Sequence, residues 1–198
     1  MPPITRRGAG SGSANGVAAA HSRGVTCAPL PQHVARAAHA ILIAMTDRSA
    51  LCRELQITWH RDIPLAAAMA IEVADYDGRT LTVHAPLAPN RNLHGTAFAG
   101  GLFSLCVLTG WGAMWLGLKE RGAGGLIVVA DSHIQYRKAV GGDMICCCTA
   151  EPAALATSVE QLTASGRTRL PLACTIDADG QRAVMFEGTY VVHAQHDH

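Results

Sequence analysis

Apolar residues recur along this chain with two different periods, and the order of those periods predicts the fold. Over residues 33–54, Val34, Ala37, Ala38, Ile41, Leu42 and Met45 recur at helical spacing, with Leu51 and Leu55 following a break at Asp47 to Ser49. A peripheral helix or pair of helices is therefore expected over 31–56. Asp62 is positioned to cap a short helix running to Met69, with Pro64 tolerated in its first turn. The period then changes to two. Ile71 and Val73 lead to an Asp77-Gly78 turn, after which Leu81, Val83 and Ala85 alternate with Thr80, Thr82 and His84, the pattern of a hairpin with one buried face.

Between this hairpin and the next strand-like run lie 22 residues without a charge, Ala97 to Leu118. Their length would cross a hydrocarbon core. Gly100, Gly101, Gly110, Gly112 and Gly117 interrupt them, however, and the flanking strands need something to pack on, so a buried core helix is the expected reading and no membrane span is expected. Lys119 and Arg121 oppose the negative end of that helix, and Gly122 suits a left-handed cap. Beyond it come strand-like segments at 126–137, 143–150, 167–177 and 182–193, separated in part by Gly141-Gly142 and Asp179-Gly180 turns. Pro171 implies an edge position or a bulge in its strand. The order is helix, two strands, long helix, four strands, which predicts an α+β domain over 57–195: an antiparallel sheet wrapped around one long central helix, with an extra N-terminal helix.

Composition narrows what such a domain does. With 16 Lys and Arg against 15 Asp and Glu there is no basic field for phosphate attraction, and nucleic acid is not expected as a partner. Seven cysteines, three of them adjacent at Cys146 to Cys148 in a predicted strand, fit buried reduced thiols better than a disulfide framework, and this favours a cytoplasmic location. Alternating strand faces and the lack of a nearby C-x-x-C argue against a zinc cage, so no metal is expected. Residues 1–30 are rich in Gly, Ala, Ser and Arg, without an acidic residue or any periodicity, and are expected to be a disordered extension. That composition is compatible with an organellar transit peptide, a start codon assigned too early or a flexible tail; a secretory h-region is absent. The string Arg7-Gly8-Ala9-Gly10-Ser11-Gly12 fits an acetyltransferase pyrophosphate-loop pattern, but no strand precedes it, and it reads as a chance match. Residues 196–198 read as a tail.

The stretch Asn92-Leu93-His94-Gly95-Thr96-Ala97-Phe98-Ala99-Gly100-Gly101 opens the central helix, and its glycines leave backbone N–H groups accessible to an anion or oxyanion. Asn92, Gly95 and the run from Phe98 to Leu105 resemble the motif region of hotdog-fold acyl-CoA thioesterases, approximately N-x-x-G-x-x-H-G-G followed by an apolar helix. Together with Gly110-Trp111-Gly112 and Ala130-Asp131-Ser132-His133-Ile134-Gln135-Tyr136, they are most similar to the thioesterase domain at the C-terminus of YiiD-type acetyltransferases. The resemblance runs from about Asp62 to Val192. It implies a hotdog fold, a homodimer or higher homo-oligomer with acyl-CoA at the subunit interface, and hydrolysis of an acyl thioester with no cofactor beyond the coenzyme A of the substrate.

The chain departs from that pattern where chemistry is concerned. Phe98 stands where many relatives have His, and Val107 stands where they carry an acid nine positions later, so an attacking water needs its base from elsewhere. Asp131 and His133 are the candidates, sharing a strand face at i and i+2, with Asn92 positioning the nucleophile or the carbonyl; alternatively, they only hydrogen-bond the loop around Asn92 and His94. His94 reads either as a base or as a loop-packing residue. His94, Gly95, Phe98, Ala99, Gly100 and Gly101 are the expected substrate-binding residues, with the oxyanion donor near Ala99 or Gly100. Cys106 reads as a small core residue, or as a thiol nucleophile paired with His133. Trp111 and Trp115 read as packing or as the lining of an acyl pocket, and Arg137 and Lys138 as solvated charges or partners of CoA phosphates. Two other functions remain open at this point: an acyl-CoA binding module without chemistry, and a hotdog dehydratase or hydratase.

Overall fold

The structure is a computed structural model and describes residues 48–194. The expected extension over 1–30, most of the helical segment at 31–56 and the tail at 196–198 lie outside the described residues. The first described element, α1, occupies 48–62 without interruption, and Ile63 separates it from α2, Pro64–Ala68. The boundary expected at Ile57 therefore falls inside a continuous helix. Leu55 and Trp59, one turn apart on α1, are fully buried, which makes this helix a wall of the core and not a peripheral addition.

After α2 come β1, Glu72–Tyr76, and β2, Thr80–Ala85, then a single 3₁₀ turn at Ala88–Asn90 and the long helix α3, Ala99–Lys119. β3, Leu126–Tyr136, β4, Met144–Thr149, β5, Arg167–Ala178, and β6, Gln181–His193, complete one six-stranded antiparallel sheet in the order β1-β2-β4-β5-β6-β3. A helix not anticipated from the sequence, α4, Pro152–Ser165, joins β4 to β5; Pro152 begins it, and Gly166, at φ 70°, caps it in the left-handed region. Leu155, Ser158 and Leu162 form its buried stripe.

The sheet curls around α3, whose glycines set how closely the layers approach. A Cβ on Gly110 would collide with the ring and hydroxyl of Tyr190, and one on Gly112 would sit 2.7 Å from Cζ2 of Trp59. Tyr190 Oη instead donates to the carbonyl of Val107 at 2.9 Å, bringing a polar tip onto the helix backbone where a larger residue at 110 would hold it off.

The hairpins at 77–80 and 178–181 form as expected, but 126–137 and 143–150 do not pair with each other. β3 lies at the far edge of the sheet on β6, and the 137–143 connection crosses back to β4 past the start of α3, where Ala97 N–H bonds to the carbonyl of Val140 at 2.8 Å. Pro171 pairs with Thr189 of β6 in a stretch of β5 that extends past the last β4 partner, Cys174, so it removes no N–H needed by β4. The inward thiols of Cys106, Cys146, Cys148 and Cys174 are all buried, Cys146 reaching Cys106 at 3.8 Å.

The turn that leads into the 3₁₀ segment is held by Asp143. Its Oδ1 accepts the Leu87 N–H at 2.8 Å, and His84 approaches Oδ2 at 3.4 Å; the first, then the second, lowers the Asp143 carboxyl below the usual carboxylate range. A depressed folded-state pKa contributes stability above the unfolded pKa of about 3.9 and loses it as pH falls through the folded value. Asp143→Ala should therefore lower the melting temperature at pH 7, with the gap to the parent protein narrowing in melts below about pH 4. A gap that is constant from pH 7 to pH 3 would refute the assignment.

Candidate active site

Phe98, extended at φ −69° and ψ 133°, turns the chain into α3, and no side chain caps the helix. Among the described residues no acceptor takes the N–H of Ala99 or Gly100. The positive end of a 21-residue helix therefore presents free donors to whatever occupies the space in front of it.

The loop before the helix is shaped by Asn92. Its Nδ2 donates to Thr96 Oγ1 at 3.0 Å and to the Ala97 carbonyl at 3.3 Å, and its Oδ1 accepts from the N–H of His94 at 2.8 Å and of Thr96 at 3.2 Å. Both ends of the amide are thus committed to the loop, and Asn92 has no donor left for a nucleophile or a substrate carbonyl. Gly95 supplies the left-handed residue of this turn, at φ 81°, while His94 is exposed at its tip. The expectation that Asn92 acts directly on the reactants is replaced by a role in building the loop.

Asp131 and His133 do share a strand face, but it is the outer one. A bulge at Ala130 shifts the β3–β6 register from Val129 opposite Tyr190 to Asp131 opposite Thr189. Ile127 and Val129 face α3; strict alternation would have continued with 131 and 133, whereas the extra residue hands the inner face to Ser132, Ile134 and Tyr136. His133 consequently stands opposite Glu187, exposed, and neither it nor Asp131 meets the helix start or the Asn92 loop within this chain. Within one chain, that single residue turns the pair away from the helix start, so neither the catalytic nor the loop-anchoring role is met there. The Cys106 nucleophile fails for a related reason: contact with Cys146 and burial push its thiol up, and the sheet separates it from His133.

Two clefts flank the first turn of α3. One, of about 300 Å³, is mainly apolar and is lined by Leu65, Met69, Pro89, Phe98 and Gly101, with Asn90, Arg91 and Ser104 as its polar members. The other, of about 310 Å³, is lined by Thr96, Ala99, Tyr136, Arg137 and Lys138. Phe98, 57% exposed, leans its ring over Gly100 between them. Tyr136 Oη donates to the carbonyl of Ala99 at 3.0 Å and so ties β3 to the helix start. Lys138 is paired with Asp179 at 2.9 Å. Among the described residues neither cleft is lined by a carboxylate or an imidazole.

Asn90 and Tyr136 are the residues the sequence reading missed. Tyr136 was hidden by the bulge, and Asn90 by its neighbour Asn92, which matches the motif. Two larger hollows, about 730 Å³ between α1 and β1 and about 1040 Å³ at the other end of α3, do not include the first turn of α3. Trp111 and Trp115 line the latter, away from the helix start; Trp111 Nε1 donates to the Ile127 carbonyl at 3.1 Å.

Comparison with known proteins agrees with this fold. The family described as "Putative thioesterase (yiiD_Cterm)" matches residues 52–194. Among solved structures, a putative thioesterase from Shewanella oneidensis is 34% identical, with a TM-score of 0.69 over 73% of this chain and 99% of that one. The protein OLEI01261 of Chlorobaculum tepidum is 28% identical, with a TM-score of 0.71 over 73% and 94% of the two chains. Protein PA5026 of Pseudomonas aeruginosa, at 14% identity and a TM-score of 0.64 over 72% and 95%, shares the fold. The architecture is that of the hotdog thioesterases.

Proposed function

The chain belongs to the yiiD_Cterm thioesterase family, and from that premise we propose that it hydrolyses acyl thioesters of coenzyme A at the start of α3. The observation that carries this reading is the uncapped helix start lying between an apolar cleft and a cleft rimmed by Tyr136, Arg137 and Lys138. A thioester bridging the two would put its acyl chain against Met69, Pro89 and Phe98, and its polar arm along the basic rim. Its carbonyl oxygen would then face the N–H groups of Ala99 and Gly100, donors that gain strength as negative charge develops on that oxygen.

A homodimer is part of the proposal. β3 is bonded on one side only, by β6, and the adjoining side of α3 leaves Phe103, Ser104, Val107 and Trp111 incompletely covered. A second copy meeting this edge would bury that strip and enclose the clefts.

Purified protein assayed against acyl-CoAs from acetyl to long-chain, with free-thiol detection, is expected to release thiol from at least one chain-length class. Absence of release across the panel would reject hydrolysis. Because no carboxylate or imidazole of the described residues lines either cleft, the binding-module reading is kept beside it, and retained acyl-CoA without thiol release selects that reading. A hydratase needs a histidine and an acid at the acyl group, and the outward turn of Asp131 and His133 counts against it.

A further inference from the structure

An acceptor held at the base of the apolar cleft is placed to orient a water where neither an acid nor an imidazole lines the site. Asn90 is only 5% exposed, and its side chain is fixed without ambiguity. Nδ2 gives both of its hydrogens to carbonyls, Met69 at 2.9 Å and Pro86 at 2.8 Å, so the other end of the amide must be the oxygen. The main-chain carbonyl of the same residue accepts the Phe98 N–H at 2.7 Å, locking Asn90 to the residue that starts α3. Oδ1 accepts no hydrogen bond from the described residues. It points at Gly101, where a Cβ would lie 3.5 Å from it. The one enclosed, unpartnered side-chain polar atom among the described residues is Nε1 of Trp59, so Oδ1 is open to the cleft that Asn90 lines.

We propose that Asn90 Oδ1 holds the hydrolytic water beside the helix start, in the room left by the missing side chain of Gly101. The inference rests on thioester hydrolysis at this site. An apolar acyl chain brings no donor to the cleft, whereas water brings two. One O–H donates to Oδ1, which aims a lone pair at the thioester carbon. The new C–O bond forms as the carbonyl oxygen takes up negative charge before the Ala99 and Gly100 amides. Collapse breaks the C–S bond, and the water's surplus proton goes to the departing thiolate, leaving carboxylic acid and thiol. A neutral amide orients water without accepting its proton, so Asn90 is a positioning residue and the step needs no group from outside the reaction.

Asn90→Ala removes the acceptor but also the two structural bonds of Nδ2, so Gly101→Ala is the sharper test. Its methyl would meet Oδ1 at 3.5 Å and Met69 Cε at 3.7 Å, ordinary contacts, and alanine is the better helix former. Melting temperature should hold or rise, while kcat falls by about 10- to 100-fold with KM changed less than about threefold. The loss should be as large for acetyl-CoA, whose chain is too short to be blocked by the methyl, as for longer acyl groups. An unchanged kcat in Gly101→Ala, or a loss confined to long chains, overturns the water-holding role while leaving hydrolysis at the helix start intact. A parent protein that releases no thiol overturns both.

Discussion

Ala99→Pro is expected to leave the fold intact and to cut thioester hydrolysis by about 10²- to 10³-fold, the usual cost of deleting one oxyanion donor. Ala99 is the first residue of α3, the position where proline's fixed φ suits a helix and its missing N–H breaks no intrahelical bond. Phe98, extended at ψ 133°, already has the conformation that a following proline demands. The carbonyl of Ala99 would still accept from Tyr136, so the tie to β3 survives. The substitution thus subtracts one hydrogen-bond donor from the front of the helix and little else. Ala99→Gly, which keeps the N–H, is the control and should retain most of the rate. Circular dichroism and thermal melts establish folding, and kcat/KM with free-thiol detection gives the effect. A proline variant as active as the parent removes Ala99 N–H from the oxyanion site.

The largest effect on stability is expected at Trp59. It is fully buried, and its ring fills the space that Gly112 leaves open against Leu81. Trp59→Ala removes that packing and should cost about 3–5 kcal/mol, which for a domain of this size lowers the melting temperature by roughly 10 °C or more. Gly112→Ala should destabilise as well, because its Cβ would lie 2.7 Å from Trp59 Cζ2 and 2.9 Å from Leu81 Cδ2. The two changes should not add: in the Trp59→Ala background the methyl at 112 enters vacated space, so the double variant should be clearly more stable than the sum of the single effects. Chemical denaturation of the four proteins measures the coupling. Additivity within about 0.5 kcal/mol would mean that Trp59 and Gly112 do not share this contact.

Both predictions concern α3 or the side chains packed on it, and much of that helix was legible in advance. The uncharged run Ala97 to Leu118 announced a buried core element, and the observed helix, Ala99–Lys119, matches it within two residues at either end. The strands were equally readable where β-branched residues alternated between turn residues. α4 escaped notice because its buried stripe is only Leu155, Ser158 and Leu162, a weak signal without its neighbours. The connection from β3 to β4 escaped for a different reason. Gly141-Gly142 marks a turn, but nothing local tells whether the strands beside a turn pair with each other, and here one runs at the sheet edge on β6.

The candidate site divides in the same way. The glycines and the Asn92 loop were visible as a motif, so the sequence by itself located the helix start and the absence of an acid at Val107. It did not determine which polar groups reach that start. Side-chain direction in a strand has a period of two, so one bulged residue, Ala130, was enough to send Asp131 and His133 outward and bring Tyr136 in. Asn92 and Asn90 differ by two positions and are chemically identical. Only the tertiary contacts, with loop groups for one and with the Met69 and Pro86 carbonyls for the other, commit the first to structure and leave the oxygen of the second open to the cleft. Burial pattern and backbone propensity act over a few residues and are written in the sequence; hydrogen-bond satisfaction is settled across the whole fold, and the chemistry proposed at the start of α3 depends on it.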